Sequence, residues 1–171
     1  MNGRPLPGEY GSHAEADIAR VAGDDAVAAL LNQQAEVEAL LTGLDERAIA
    51  GLRYAPGKWT VKEVIGHMLD DERIFAYRML CIARGGSSPL ESFDENVYVA
   101  GANFEDRPLG SFLEEYRLIR SSTVALLRSL TDEAWLRRGT VAGYTASVRG
   151  LAFHVAGHEL HHLEILRTRY L

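Results

Sequence analysis

Positive charge is scarce in this chain: 18 Lys and Arg stand against 24 Asp and Glu, a formal charge of −6 over 171 residues. Neutralising nucleic-acid phosphates needs a concentrated basic stripe, and here the arginines are interleaved with acids, so nucleic acid is not the expected partner. Cysteine is almost absent. The single Cys81 excludes an intrachain disulfide framework and any multi-thiolate metal site, which leaves histidine and carboxylate as the only possible ligands. No apolar run approaches the ~18–20 residues needed to span a bilayer. The stretch Met1 to Gly11 is polar and carries Pro and Gly where a signal peptide would be apolar, so the expected setting is the cytoplasm, away from membranes.

What the chain has is apolar periodicity. Hydrophobic residues make up 47% of it, enough for one core of ordinary size. Val27, Leu30, Leu31, Val37 and Leu41 recur at spacings of three and four after Asp24, which is placed to cap a first helix. A second helix opens at Thr60 with Glu63 three residues on, a capping box. It carries Val61, Val64, Ile65, Met68, Phe75 and Met79 to about Arg84, where Gly85-Gly86 ends it. Ser111 and Glu114 read as another capping box ahead of a third helix bearing Tyr116, Ile119, Thr123 and Leu127. A fourth runs from about Ser147 to the terminus, and no β-alternation competes with it. The spacing therefore predicts an all-α, four-helix bundle. Connections too long for tight hairpins, above all 85–108 with a short helix from Asp94, call for at least one crossover and place a lid over an entrance. Residues 1–23 read as an N-terminal extension and 24–171 as a single domain.

The chemical signal is histidine. Five of the six fall on two helices: His67 on the second, and His154, His158, His161 and His162 on the fourth. At ~100° per residue, His158 and His162 lie about 40° apart and one turn apart, so two imidazoles can share one ion. The same arithmetic turns this pair inward and sends His154 and His161 toward the rim. With the second and fourth helices antiparallel, His67 comes level with the pair. Three neutral imidazoles with an open fourth position make a catalytic type of site for one divalent ion, zinc or a similar borderline metal. Glu159 and Glu72 project near the centres of their apolar stripes. For Glu72 a salt bridge to an arginine is expected. Glu159 is equally a buried salt-bridge partner or a catalytic base acting on metal-bound water or thiol. Asp70 and Asp71 beside His67 read as a solvated face, with a further ligand or an acceptor that orients an imidazole as the alternative for Asp71, one turn past His67, and Cys81 reads as packing.

His158-Glu159-Leu160-His161-His162 also fits H-E-x-x-H, the helical zinc motif of metalloproteases. Only nine residues follow His162, and an all-α fold offers no edge strand to a peptide, so that reading is set aside. A di-iron bundle needs two Glu-x-x-His pairs, and only Glu159 with His162 has the spacing. Two other readings stand. One is a non-catalytic, metal-stabilised bundle acting as a stress-associated binding module, its site closed by Asp71, Glu72 or His154. The other is a bundle without metal.

Four segments together resemble the DinB and YfiT-like superfamily of metalloenzymes: Tyr54-Ala-Pro-Gly-Lys-Trp-Thr-Val-Lys-Glu-Val-Ile-Gly-His67, Asp70-Asp-Glu-Arg73, Phe93-Asp-Glu-Asn96 and Gly157-His-Glu-Leu-His-His162. The resemblance implies a four-helix bundle with a crossover and one divalent ion, nickel or zinc, held by His67, His158 and His162. It further implies a homodimer, to which Phe153 and Leu160 could contribute unless the long loops bury them. The implied activity is that of a metal-dependent hydrolase or of a transferase or isomerase using a low-molecular-weight thiol, with a small molecule as substrate.

Overall fold

The structure is a computed structural model and describes residues 3–171. A short helix α1 (Glu15–Arg20) precedes the first long helix, α2 (Ala26–Gly43), and the single turn α3 (Glu46–Ile49) leads to α4 (Val61–Ala83). Helix α5 (Glu95–Gly101) lies in the following connection, and α6 (Leu109–Arg128) and α7 (Asp132–Leu136) come next. The hairpin β1 (Arg138–Val141) and β2 (Tyr144–Ser147) then feeds α8 (Val148–Ile165), which ends in a widened turn, Leu166–Tyr170.

Helices α2, α4, α6 and α8 form the bundle. Around its ring α4 packs between α6 and α8, and α2 closes against the same two. Side-chain pairs fix the directions. His67 meets His162 while Phe75 meets His154, so α4 and α8 are antiparallel. Lys62 reaches the Arg107 carbonyl while Glu72 meets Arg120, so α4 and α6 run parallel. Two parallel neighbours consecutive in the chain need a connection that returns the full helix length. Residues 84–108 supply it, which is the expected crossover and the reason that segment is long.

Several local expectations need correcting. The first bundle helix is capped by Asp25, whose carboxylate accepts from the N–H groups of Val27 and Ala28, not by Asp24. Helix α6 begins two residues before Ser111. The Leu109 N–H donates to the Glu46 carboxylate, a cap supplied by another element, and the Ser111 hydroxyl donates to the Pro108 carbonyl instead of capping. The hairpin was not expected. Its strands are four residues each, too short for visible alternation, and its two-residue turn is Ala142-Gly143, with both φ positive at 48° and 83°. That is the backbone of a type I′ turn without the Asn-Gly or Asp-Gly that advertises one.

The segment read as an N-terminal extension packs along α8. Ala14, Ile18 and Val21 are buried, Glu9 is buried against Arg149 at 2.7 Å, and Arg4 covers the Phe153 ring at 5.3 Å. Phe153 is thus buried by residues 3–23, not by the long loops. The approach is backbone to backbone: a Cβ added at Gly150 would strike the Glu9 carbonyl oxygen, and one at Gly157 the Asp17 carbonyl oxygen.

At the centre of the bundle, the fully buried Arg120 of α6 donates to Glu72 of α4 at 2.9 Å, to Glu159 of α8 at 2.6 Å and to the Leu30 carbonyl of α2 at 2.7 Å. Burial opposes its charge, and the two carboxylates more than restore it. Two predictions follow from these contacts. Arg120→Met leaves two buried carboxylates without a cation and is expected to cost about 3–5 kcal/mol in urea unfolding. Gly157→Ala is expected to cost ~1–3 kcal/mol and to increase amide exchange in α1 selectively; unchanged exchange there would refute the close-packing account.

Candidate metal centre

The start of α4 is over-determined. Thr60 caps the Glu63 N–H and the Glu63 carboxylate returns to the Thr60 N–H, completing the expected capping box. Lys62 is buried, with its Nζ 2.9 Å from Glu46 and donating to the carbonyls of Glu105 and Arg107. Gly66 has no Cβ because the Phe104 ring occupies that space. The next residue, His67, is thereby held at a fixed height and rotation. Trp59 packs on its ring, centroids 4.8 Å apart, and the Tyr170 hydroxyl donates to the Trp59 carbonyl at 2.5 Å. The end of the chain thus closes over the same corner.

On α8, His158 and His162 project one turn apart toward His67. The His158 Nε2 lies 3.1 Å from His67 Nε2 and 3.0 Å from His162 Nε2. One ligand atom from each of the three falls within 4.8 Å of the others. A tetrahedral ion with bonds of ~2.0–2.1 Å has ligand–ligand edges of about 3.3 Å, so the spacing fits one ion. A hydrogen-bond account fits less well. A neutral imidazole nitrogen has either one lone pair or one hydrogen, so His158 Nε2 cannot accept from both neighbours.

Burial holds all three rings neutral: it pushes His67 down to about 4, His162 to about 3, and His158 well below its ordinary value. Neutral imidazole is the form that ligates. Asp71 is buried, not on a solvated face, because α8 packs over it: its carboxylate lies 3.3 Å from Nδ1 of His158, the nitrogen that faces away from the cluster. Burial pushes this carboxyl up to about 8, with Arg78 opposing the rise. A hydrogen on Nδ1 directed at Asp71 leaves the Nε2 lone pair free for the cluster, and a cation there favours the ionised carboxylate in turn. His162 has no such partner, since its buried Nδ1 makes no hydrogen bond among the described residues.

Two cavities reach the histidines from different sides. One, of about 240 Å³, is bounded by Tyr54, Trp59, Tyr170 and His162, with Asn96 at its rim. The other, of about 420 Å³, is bounded by His158, Asp71, His154, Tyr144 and Arg78, with Glu95 at its rim. Adjacent residues of α5 therefore touch both, and α5 lies over the centre. Its N-cap is Asp94, as the sequence predicts.

The DinB superfamily model matches residues 29–166, which include every ligand candidate. The chain belongs to the DinB superfamily. No curated protein sequence matches it significantly. Among solved structures it is similar to YfiT from Bacillus subtilis, a probable metal-dependent hydrolase with an unusual four-helix bundle topology. The TM-score is 0.70 at 19% identity over 96% of this chain and 93% of that one. It is also similar to the mycothiol-dependent maleylpyruvate isomerase, with a TM-score of 0.67 at 13% identity over 81% of this chain. The match spans 58% of the isomerase's length, and a histidine-to-alanine mutant of that enzyme matches equally. At these identities the likeness establishes the shared bundle.

Within this DinB superfamily fold the histidine arithmetic had two outcomes. His67, His158 and His162 come together as spacing and antiparallel packing require. His154, expected at the rim, is buried against Phe75 with ring centroids 4.8 Å apart, and His13 and Asp17 of the N-terminal segment cover it. The rim position assumed that nothing packs outside α8. His161 is partly exposed, as expected. Glu159 is not brought to the cluster; its Oε2 accepts from Arg120, and burial, offset in part by Arg120, pushes its pKa up. Glu72 has the arginine partner expected of it. No described helix is long and apolar enough to cross a membrane.

Proposed function

We propose that the protein is a metal-dependent enzyme in which His67, His158 and His162 hold one divalent ion, zinc or nickel, and activate water or a small thiol for attack on a small-molecule substrate. The observation that carries this reading is the convergence of three Nε2 atoms from two antiparallel helices. A bound divalent ion supplies a Lewis acid that lowers the pKa of a coordinated water or thiol toward neutrality.

The chain's own residues do the rest. Asp71 fixes the tautomer of His158, Trp59 shields the outer face of His67, and α5 roofs the two approaches. Three ligands leave a coordination position for the nucleophile. The alternative, a closed structural site in a binding module, needs a fourth protein ligand. Among the described residues the ligand group contains no carboxylate, and Asp71 meets the far nitrogen of His158. Glu159 belongs in this reading to the Arg120 network, and Asp71 orients His158 by accepting its Nδ1 hydrogen without exchanging protons with the substrate. The reaction is hydrolysis or transfer of a thiol to an electrophile, in keeping with the names carried by the two similar structures.

Elemental analysis of untagged protein is the deciding measurement. One equivalent of metal is expected, falling to a small fraction in His158→Ala; retention of the metal in that variant would sink the assignment. Asp71→Asn is expected to keep the fold and to weaken metal affinity by about 10–100-fold in competition with a chelator. An unchanged affinity would remove Asp71 from the centre. Activity is then sought with esters, amides and electrophiles in the presence and absence of biological thiols.

A further inference from the structure

Three basic side chains are buried among the described residues: Lys62, Arg78 and Arg120. Lys62 has Glu46 at 2.9 Å, and Arg120 has Glu72 and Glu159. Arg78, 5% exposed, has no carboxylate within ion-pair distance among the described residues. Its Nη2 donates to the Glu91 carbonyl at 2.7 Å, and the guanidinium lies over the rings of Phe75 and Phe93, 5.2 and 5.6 Å from their centroids. These contacts hold the cation in place without a direct ion pair, and Asp71 feels its charge only at longer range. Such a group is expensive to bury, and its structural return is one hydrogen bond that ties α4 to the crossover at Glu91.

The position of Arg78 gives it a use. It lines the 420 Å³ chamber that also contains His158 and Asp71, and Tyr144 and Ser92 add hydroxyl groups to the same wall. From Asp71 to Arg78 is seven residues along α4, a rise of about 10 Å, so a ligand held at Arg78 extends back toward the histidines. The phenyl rings of Phe75 and Phe93 border the path. Asp17, Asp71 and Glu95 line the remainder of the chamber and disfavour a compact, multiply charged anion.

We propose that Arg78 is the anchor for the single carboxylate of a substrate whose largely neutral, apolar body fills this chamber and presents its reacting atom to the histidine cluster. The assignment of a reacting atom rests on the metal-enzyme reading above; the anion site does not. Arg78 presents a fork of N–H donors that suits a carboxylate, and the aromatic walls accept the body.

The test uses 4-phenylbutyrate and its uncharged amide as probes, titrated into the purified protein and followed by NMR. The carboxylate is expected to bind at least ~10-fold more tightly than the amide, the scale of a charge-assisted hydrogen bond. Arg78→Met is expected to bind both alike, with metal content unchanged and a melting temperature equal to or above that of the parent, because an unpaired buried charge has been removed. Equal affinity for the two probes in the parent, an unaltered preference in Arg78→Met, or equal protection by sulfate would each overturn the proposal. Should Arg78→Met fail to fold, the Arg78 Nε–H resonance of the parent decides instead: it must shift with the carboxylate and stay in place with the amide. Loss of metal in His158→Ala with the carboxylate preference intact separates the two readings, since each can fail without the other.

Discussion

The bundle turns on one guanidinium. Arg120, on α6, bonds to a carboxylate on α4, a carboxylate on α8 and a backbone carbonyl on α2, so a single buried side chain sets the relative height of all four helices. Hydrophobic packing between helices is tolerant of small slides, because one apolar contact replaces another at little cost. A buried ionic network is not tolerant, since a slide of one residue strands a charge in the core. Glu72 is the neighbour of Asp71, and Glu159 the neighbour of His158. The register that satisfies Arg120 is therefore the register that brings Asp71 to His158 and His67 to both clustered histidines of α8.

The order of dependence matters for reading Glu159. Its place within H-E-x-x-H invites a catalytic assignment, and its depth in the core gives it a different employment. Burial raises the pKa of Glu159, Arg120 offsets part of the rise, and Glu72 on the same arginine adds a little to it. Removing water from such a group while also asking it to exchange protons with a substrate sets two demands in conflict. Asp71 is buried as deeply, but it touches one of the clustered rings and can orient it without exchanging protons with a substrate.

The capping box at Thr60, the crossover and the meeting of His67, His158 and His162 were legible in the residues, because each depends on local periodicity or on helices long enough to have one face. What escaped was supplied by contacts distant in sequence. The cap of α6 comes from Glu46, 63 residues before Leu109, and no local pattern encodes it. The burial of His154 depends on residues 12–20 lying across α8, and the sequence traces of that packing are short: Ala14, Ile18 and Val21 at spacings of four and three, and Gly150 and Gly157, seven apart on one helical face. The hairpin was invisible because Ala142 takes a backbone conformation that its residue type seldom adopts. Arg78 carries no sequence signal that sets it apart from the other arginines. Its isolation becomes apparent only when every carboxylate nearby is accounted for.

The two cavities divide the work around the histidines according to what built them. The smaller is walled by Tyr54, Trp59 and Tyr170, residues that also lock the start of α4 to the end of α8, so its shape cannot change without loosening His67. The larger shares His158 and Asp71 with the cluster, and the rest of its wall comes in part from the crossover, the hairpin and the N-terminal segment, which carry none of the three clustered histidines. The crossover is tied to the hairpin by the Leu90 N–H on Thr140 and the Ala142 N–H on Leu90, and to α4 by Arg78 on Glu91. Residues there can vary without disturbing the ligand geometry, provided the backbone pairing survives. A bundle of this kind can keep one set of ligands and alter what it recognises by changing the connections alone. In this chain, the residue positioned to make that choice is the buried arginine at the meeting point of crossover and helix.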